Sequence, residues 1–269
     1  MSELRALLAP RRNIGFVPTM GALHAGHGSL IERAVRESDC VVVSVFVNPI
    51  QFNSSSDFAR YPRPLENDLR FCEQAGAHVV FAPEVADMYP QPQKTFVEVE
   101  GVTEKLCGEF RPGHFRGVAT VVAKLLNIVR PDRAYFGEKD AQQLAVIRRM
   151  VRDLNMPVEI VEVPTVREPD GLALSSRNVH LSPAERGAAP VLYRSLRAAA
   201  AMIAAGAHDP EAVKARAREL LAAEPLVRLE YLEIVDPGEM QPVARIQAPV
   251  RIAIAAWLGS TRLIDNILA

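Results

Sequence analysis

Between Asn13 and Val166 the chain repeatedly alternates short runs of β-branched and aromatic residues with longer stretches of helical spacing. No other feature constrains the fold as much. CVVVSVFV, residues 40–47, is apolar at nearly every position, the pattern of a strand buried on both faces. NIGFVPTM, AHVVFAP, RAYFG and VEIVEVPTV read as further strands, and the alternating FVEVE (96–100) as one nearer an edge. SLIERAVRES, residues 65–75 with Gly76 as a stop, GVATVVAKLLNIV ending at Arg130-Pro131, and DAQQLAVIRRMVRDLN read as helices. Strand and helix in turn predict an α/β fold, a Rossmann-like parallel-sheet domain over residues 1–165. Right-handed crossovers then carry the C-terminal ends of the strands, and the loops after them, to one edge.

From Arg167 the pattern changes. A polar loop, REPDGLALSSRNVHLSP, leads into Ala- and Arg-rich sequence. Ser182-Pro183-Ala184-Glu185 is a helix start, with Ser as N-cap, Pro at N1 and Glu at N3, and the helix is predicted to run to about Ala205 before Gly206. Asp209-Pro210-Glu211 opens a second helix through Leu221; VRLEYLEIVD, VRIAIAAWL and TRLIDNI read as strands. Residues 166–269 are therefore expected to form a smaller C-terminal α+β domain.

Composition narrows the function classes. With 31 basic against 32 acidic residues and a net charge of −1, there is no basic field for nucleic acid, so a bound anion must be held by local groups. Cys40, Cys72 and Cys107 are far apart and form no CxxC pair, which fits a reducing compartment. The first residues lack the apolar core of a signal peptide, and the apolar runs are too short to span a membrane, so a cytoplasmic location with no membrane partner is expected.

Five polar stretches carry the chemistry. In PTMGALHAGHGSL, glycines between a strand and a helix permit close approach of backbone N–H groups to a phosphate, and His24 and His27 add imidazoles near a helix start. A packed loop with two incidental histidines, or half a metal site, are the other readings; the remaining histidines are scattered. FVNPIQF places the neutral amides of Asn48 and Gln51 at a strand end, although Asn-Pro is also a plain turn former. RPGHFRG (111–117) is either an anion-facing loop or a solvated basic turn. In FGEKDAQQ, Asp140 suits a helix start, but Lys139 is out of place beside the positive end of a helix unless it meets an anion. DGLALSSRN offers two hydroxyls and Arg177 in a glycine-containing loop.

Taken in order, PTMGALHAGH, FVNPIQF, YPRPLENDL, RPGHFRGV, RPDRAYFGEKDAQQL and DGLALSSRN resemble the pantothenate synthetase family, ligases that join pantoate to β-alanine. The likeness spans at least residues 14–182, and HxGH is similar to the motif of the wider nucleotidyl-transferring superfamily that includes class I aminoacyl-tRNA synthetases. Ala25 stands where the family more often has Glu, and Gly28 where it often has Leu or Met. The resemblance implies two steps: pantoate attacks the α-phosphorus of ATP to give pantoyl adenylate and pyrophosphate, then β-alanine displaces AMP. ATP is the cosubstrate and Mg²⁺ the implied metal. By motif match, Met20, Gly21, Ala22, Leu23, His24, Ala25, Gly26 and His27 line the nucleotide site, with His24 and His27 on phosphate oxygens and His27 the donor to the leaving group. Gly137, Glu138, Lys139 and Asp140 bind nucleotide, and Val166, Leu174, Ser175, Ser176 and Arg177 close over it. Gln51 and Gln143 hold pantoate, and Gln51 also borders β-alanine. The family is typically homodimeric. Competing readings are a nucleotidyltransferase acting on a phosphorylated cofactor precursor and a nucleotide-binding regulatory module without catalysis.

Overall fold

The computed structural model describes every residue except Ala248, and every side chain except those of Ala248 and Ser56. It divides into two compact units. The first comprises Met1–Glu100, Arg111–Gly137 and Val146–Pro164; the second comprises Gly101–Phe110, Glu138–Ala145 and Thr165–Ala269. Two short stretches from before residue 165 thus group with the C-terminal unit. No helix among the described residues is long and apolar enough to cross a membrane.

The first unit opens with α1 (Ser2–Leu8), β1 (Ile14–Thr19), α2 (Ala25–Glu37) and β2 (Cys40–Val45). A 3-10 turn at Pro49–Gln51 precedes α3 (Ser55–Arg60), α4 (Leu65–Gln74), β3 (Val79–Phe81) and α5 (Val85–Met88). After α6 (Cys107–Phe110), which belongs to the second unit, come α7 (His114–Val129), β4 (Arg133–Gly137), α8 (Ala141–Asp153), whose residues up to Ala145 group with the second unit, and β5 (Glu159–Val163). The five strands form one parallel sheet in the order β3-β2-β1-β4-β5. The order reverses between β1 and β4, so the crevice beyond their C-terminal ends is the place such sheets use for ligands. One side chain layer joins Val17, Val41 and Val43 of the sheet to Leu30, Ile31 and Ala34 of α2 and Cys72 of α4. α7 is buried at most of its positions, and α1, which the sequence reading missed, packs against it. That accounts for a helix that is apolar nearly all round.

Two expectations in this region change. FVEVE forms no strand; Val97 N–H is bonded by Thr120 Oγ1 of α7 at 3.0 Å, and Phe96 lies beneath the Arg116 guanidinium at 3.9 Å. Side chains from α7 thus take the place of a ladder partner. α2 begins at Ala25, so the HAGH sequence forms the helix start rather than the loop before it.

In the second unit, a 3-10 turn at Ser176–His180 leads to α9 (Pro183–Ala188), α10 (Val191–Ala204) and α11 (Pro210–Ala222). β6 (Val227–Val235), β7 (Arg251–Leu258) and β8 (Thr261–Leu268) follow as an antiparallel sheet. Ser182 and Glu185 form the capping box read from the sequence. The single helix expected from Pro183 to Ala205 is two helices, because Pro190 supplies no N–H to continue the first. Leu192, Leu196, Val213 and Ala217 of the helices pack on Leu232, Ile234, Ile252 and Ile254 of the sheet to make a core of its own.

Candidate functional site

The turn after β1 is built by bonds to its own backbone. Gly21 has φ +78°, and a Cβ there would meet Asp68 Oδ2 at 2.8 Å. Ala22 also adopts a left-handed conformation, φ 51°, which costs a residue with a Cβ about 1–2 kcal/mol. Asp68 of α4, 2% exposed, offsets that cost: its carboxylate accepts from Ala22 N–H at 3.0 Å and Leu23 N–H at 2.8 Å. Gly21 N–H donates to Thr19 Oγ1 at 3.1 Å, and that hydroxyl donates to Ser44 O at 2.7 Å. The amides of Gly21, Ala22 and Leu23 are therefore engaged within the protein.

The imidazoles are placed by a reciprocal cap. His24 is the N-cap of α2 and its Nδ1 accepts from Gly26 N–H at 3.1 Å; His27, at the third helical position, accepts from His24 N–H through Nδ1 at 3.2 Å. The rings stand 4.2 Å apart, centroid to centroid. With Nδ1 an acceptor in both, each neutral ring carries its proton on Nε2. Two N–H donors of defined tautomer thus sit at the positive end of a helix, downstream of the central strand. Gly28 continues the helix against α4, where a Cβ would lie 3.2 Å from Phe71 Cζ.

A second cluster in the same unit surrounds Gln51. Its Oε1 accepts from Asn48 Nδ2 at 2.9 Å, which orients the amide, and its Nε2 donates to Met20 Sδ at 3.0 Å. A thioether is a weak acceptor, so this donor is readily transferred to a stronger one such as a carboxylate. Asn48, 1% exposed, also donates to Gly117 O and accepts from Tyr89 O–H at 2.7 Å. Burial pushes the Tyr89 phenol far above its usual range, so it remains a donor. The RPGHFRG loop serves this cluster: His114, buried, donates from Nδ1 to Gln51 O at 2.8 Å while Arg111 approaches its Nε2 at 3.3 Å. Gly117 allows α7 to approach, since a Cβ there would sit 2.5 Å from Ile50 O. Met20 ties this cluster to the imidazole turn.

The other two stretches belong to the second unit. Glu138–Asp140 forms one 3-10 turn before α8, with Lys139 Nζ 3.7 Å from Asp140 Oδ2. Of the two glutamines that follow, Gln142 is committed to structure: it accepts from Cys107 N–H and donates to Val102 O and Lys105 O. Gln143 is half-buried and its amide makes no such bond among the described residues. In the Asp170–Asn178 loop, Leu174 N–H donates to Val166 O at 3.0 Å, closing its base. Ser175 caps the 3-10 turn that carries Ser176 and Arg177 by accepting from Arg177 N–H at 3.2 Å. Asp170 is paired with Arg186 at 2.6 Å. The structure thus brings Met20–His27 together with Gln51 in one unit, and Glu138–Asp140, Gln143, Val166 and Leu174–Arg177 into the other; Gly137 ends β4 in the first. Sequence reasoning assigned no role to Asp68, Tyr89 or Asn266. Asp68 alone left a trace, as a carboxylate inside an otherwise apolar helix face.

Comparison with known proteins places these motifs in context. A family model described as pantoate-beta-alanine ligase matches residues 1–268. The chain is 57% identical over 257 residues to the pantothenate synthetase of Heliobacterium modesticaldum, a match covering 96% of this chain and 92% of that one. The crystal structure of pantothenate synthetase from Thermus thermophilus is 54% identical and superposes with a TM-score of 0.95, covering 99% of this chain and 96% of the other. A pantoate-beta-alanine ligase from Francisella tularensis, solved with beta-gamma ATP and beta-alanine, gives a TM-score of 0.81 at 37% identity over 99% and 93% of the two chains.

Proposed function

Because the chain belongs to the pantoate–β-alanine ligase family, we propose that it joins pantoate to β-alanine through a pantoyl adenylate, releasing pyrophosphate and then AMP. The observation that carries this reading is the reciprocal His24–His27 cap, which turns two neutral imidazoles into Nε2–H donors at the start of α2.

In the first step a pantoate carboxylate oxygen forms a bond to the α-phosphorus, and the bond from that phosphorus to the bridging oxygen breaks. The difficulty is electrostatic: two anions approach, and charge grows on the departing pyrophosphate. Donors already oriented toward those oxygens meet that need without reorganisation. His24 and His27 fill this role, with His27 facing the leaving group. Neutral donors suit it, because they stabilise developing charge without trapping the ground-state triphosphate as a tight ion pair. Lys139 and Arg177 supply the positive charge, and Ser175, Ser176, Val166 and the Gly137–Asp140 segment complete the nucleotide contacts.

Gln51 and Gln143 bind pantoate through its hydroxyls and carboxylate. Uncharged amides orient the carboxylate while leaving it nucleophilic. Asn48 and His114 keep the Gln51 segment in place for that purpose. In the second step the β-alanine amine, entering beside Gln51, attacks the acyl carbon; the bond to AMP breaks and the amine loses a proton. No acyl-enzyme is required.

Among the described residues no group of three or more His, Cys, Asp or Glu side chains could hold a metal ion. Mg²⁺ characteristically binds through phosphates and water; carried on the ATP phosphates, it would shield their charge.

A pyrophosphate-release assay with ATP and Mg²⁺ tests the reading. Release on adding pantoate alone, followed by AMP only once β-alanine is present, is the expected order. Absence of pyrophosphate until both substrates are present, with no trapped adenylate, would overturn the two-step route. Pyrophosphate release with a phosphorylated cofactor precursor in place of pantoate would favour the nucleotidyltransferase reading.

A further inference from the structure

We propose that Asn266 is a positioning residue for Lys139, and that β8 holds the Lys139 turn and the base of the Val166–Arg177 loop in one register. The inference rests on the assignment of Lys139 to ATP made above. Asn266 is 5% exposed. Its Nδ2 donates to Glu138 O and to Lys139 O, each at 2.9 Å. These two carbonyls belong to the peptide groups on either side of the Lys139 Cα. Holding both fixes the backbone rotation about that atom, and with it the direction in which the lysine side chain leaves. A 3-10 turn of three residues has little means of fixing this by itself.

The clamp is itself oriented. Asn266 Oδ1 accepts from Arg251 Nη1, a group that can only donate, so the amide cannot be turned over. Arg251 is 7% exposed and lies on the neighbouring strand, paired in register close to Asn266. Adjacent strand residues point to opposite faces, and Asp265 uses the other face. Its carboxylate accepts two bonds from Arg167, at 2.6 and 2.8 Å. Arg167 in turn donates to Gly171 O at 3.1 Å and to Asn266 O at 3.3 Å, with its guanidinium 3.8 Å from the Tyr193 ring. Two consecutive residues of one strand thus fix two segments far apart in sequence, and both segments carry residues assigned to the nucleotide.

Steady-state kinetics on the full chain tests this. Asn266→Ala is expected to raise the KM for ATP about tenfold, the worth of one to two hydrogen bonds, while the KM for β-alanine stays within about twofold. The Lys139→Ala/Asn266→Ala double variant should be no worse for ATP than Lys139→Ala alone, because Asn266 acts through the lysine. Additive losses, or KM values for ATP and β-alanine rising together, would overturn the proposal, since a general structural defect gives that outcome. Asn266→Asp, of the same size, serves if the alanine variant does not fold. It sets an oxygen against the two carbonyls and should show the same ATP-selective defect; a folded Asn266→Asp enzyme with wild-type ATP kinetics would refute the role. Should Lys139→Ala itself leave ATP saturation unchanged, the assignment of Lys139 fails and this inference with it. An ATP-defective Lys139→Ala with additive behaviour overturns only the inference.

Discussion

The imidazole turn of the first unit and the Asp170–Arg177 loop of the second are both short, polar and glycine-containing, yet different forces hold them. In the first, side chains bond to backbone amides: Asp68 to Ala22 and Leu23, His24 to Gly26, His27 to His24. In the second, side-chain bonds to the backbone, such as Ser175 to Arg177 N–H and Asn178 to Ala173 O, are joined by two ion pairs, Arg167 with Asp265 and Arg186 with Asp170. Bonds to the backbone fix where a ring points. Ion pairs at the base and flank of a loop add charge-assisted anchoring there. The difference matches the tasks assigned to the two regions, orientation of neutral donors in one and delivery of positive charge in the other.

The comparison can be broken at its strongest point first. Arg167→Ala leaves Asp265, with 3% of its side chain exposed, without its guanidinium partner; a loss of about 3–5 kcal/mol in denaturant unfolding is expected. His27→Ala should slow adenylate formation by about 10²–10³ in single-turnover experiments, with a smaller change in ATP affinity. Adenylate formation at wild-type speed would remove the imidazoles from the mechanism. Asp68→Ala leaves two turn amides without their acceptor and should lower unfolding free energy by about 1–3 kcal/mol; a cost above that of Arg167→Ala would reverse the contrast. Arg177→Ala should weaken ATP saturation about tenfold, the worth of one charge-assisted hydrogen bond, with β-alanine saturation unaltered. The smallest effect concerns acid. The Arg186 guanidinium holds the Asp170 carboxyl below the usual carboxylate range. A depressed pKa contributes stability that is complete above the unfolded value near pH 4 and is lost as the pH falls through the folded one. Because the pair is well exposed, Arg186→Ala should remove less than about 1 kcal/mol at neutral pH, and in acid titrations of stability this difference should shrink as the pH falls below about 4 and vanish below the folded value.

What the sequence disclosed, and what it hid, follow from the range of the interactions. The strands of the parallel sheet and the Ser182 capping box were legible because they depend on neighbours a few residues away. His24, His27 and Gln51 stood out by chemistry and motif. FVEVE misled, since its alternation is met by Thr120 and Arg116 of α7 rather than by a strand. RPGHFRG read as either an anion-facing loop or a solvated basic turn, whereas its His114 is a buried donor to Gln51 O, a relationship 63 positions apart in sequence. Asp68, 46 positions from Ala22, and Asn266, 127 from Lys139, were silent for the same reason. The grouping of Gly101–Phe110 and Glu138–Ala145 with the C-terminal unit is accompanied by bonds such as Gln241 to Gly101 and Asn266 to Glu138, which no local pattern announces.

Gly28 and Phe71 share one small volume, the ring of one filling the space that a side chain on the other would need. A Cβ at 28 would sit 3.2 Å from the end of that ring, so the ring would have to yield by a few tenths of an ångström, and anything larger would press further on it. Phe71 lies one helical turn after Asp68, whose carboxylate holds Ala22 and Leu23, so bulk added on one helix is felt first by the helix that anchors the turn.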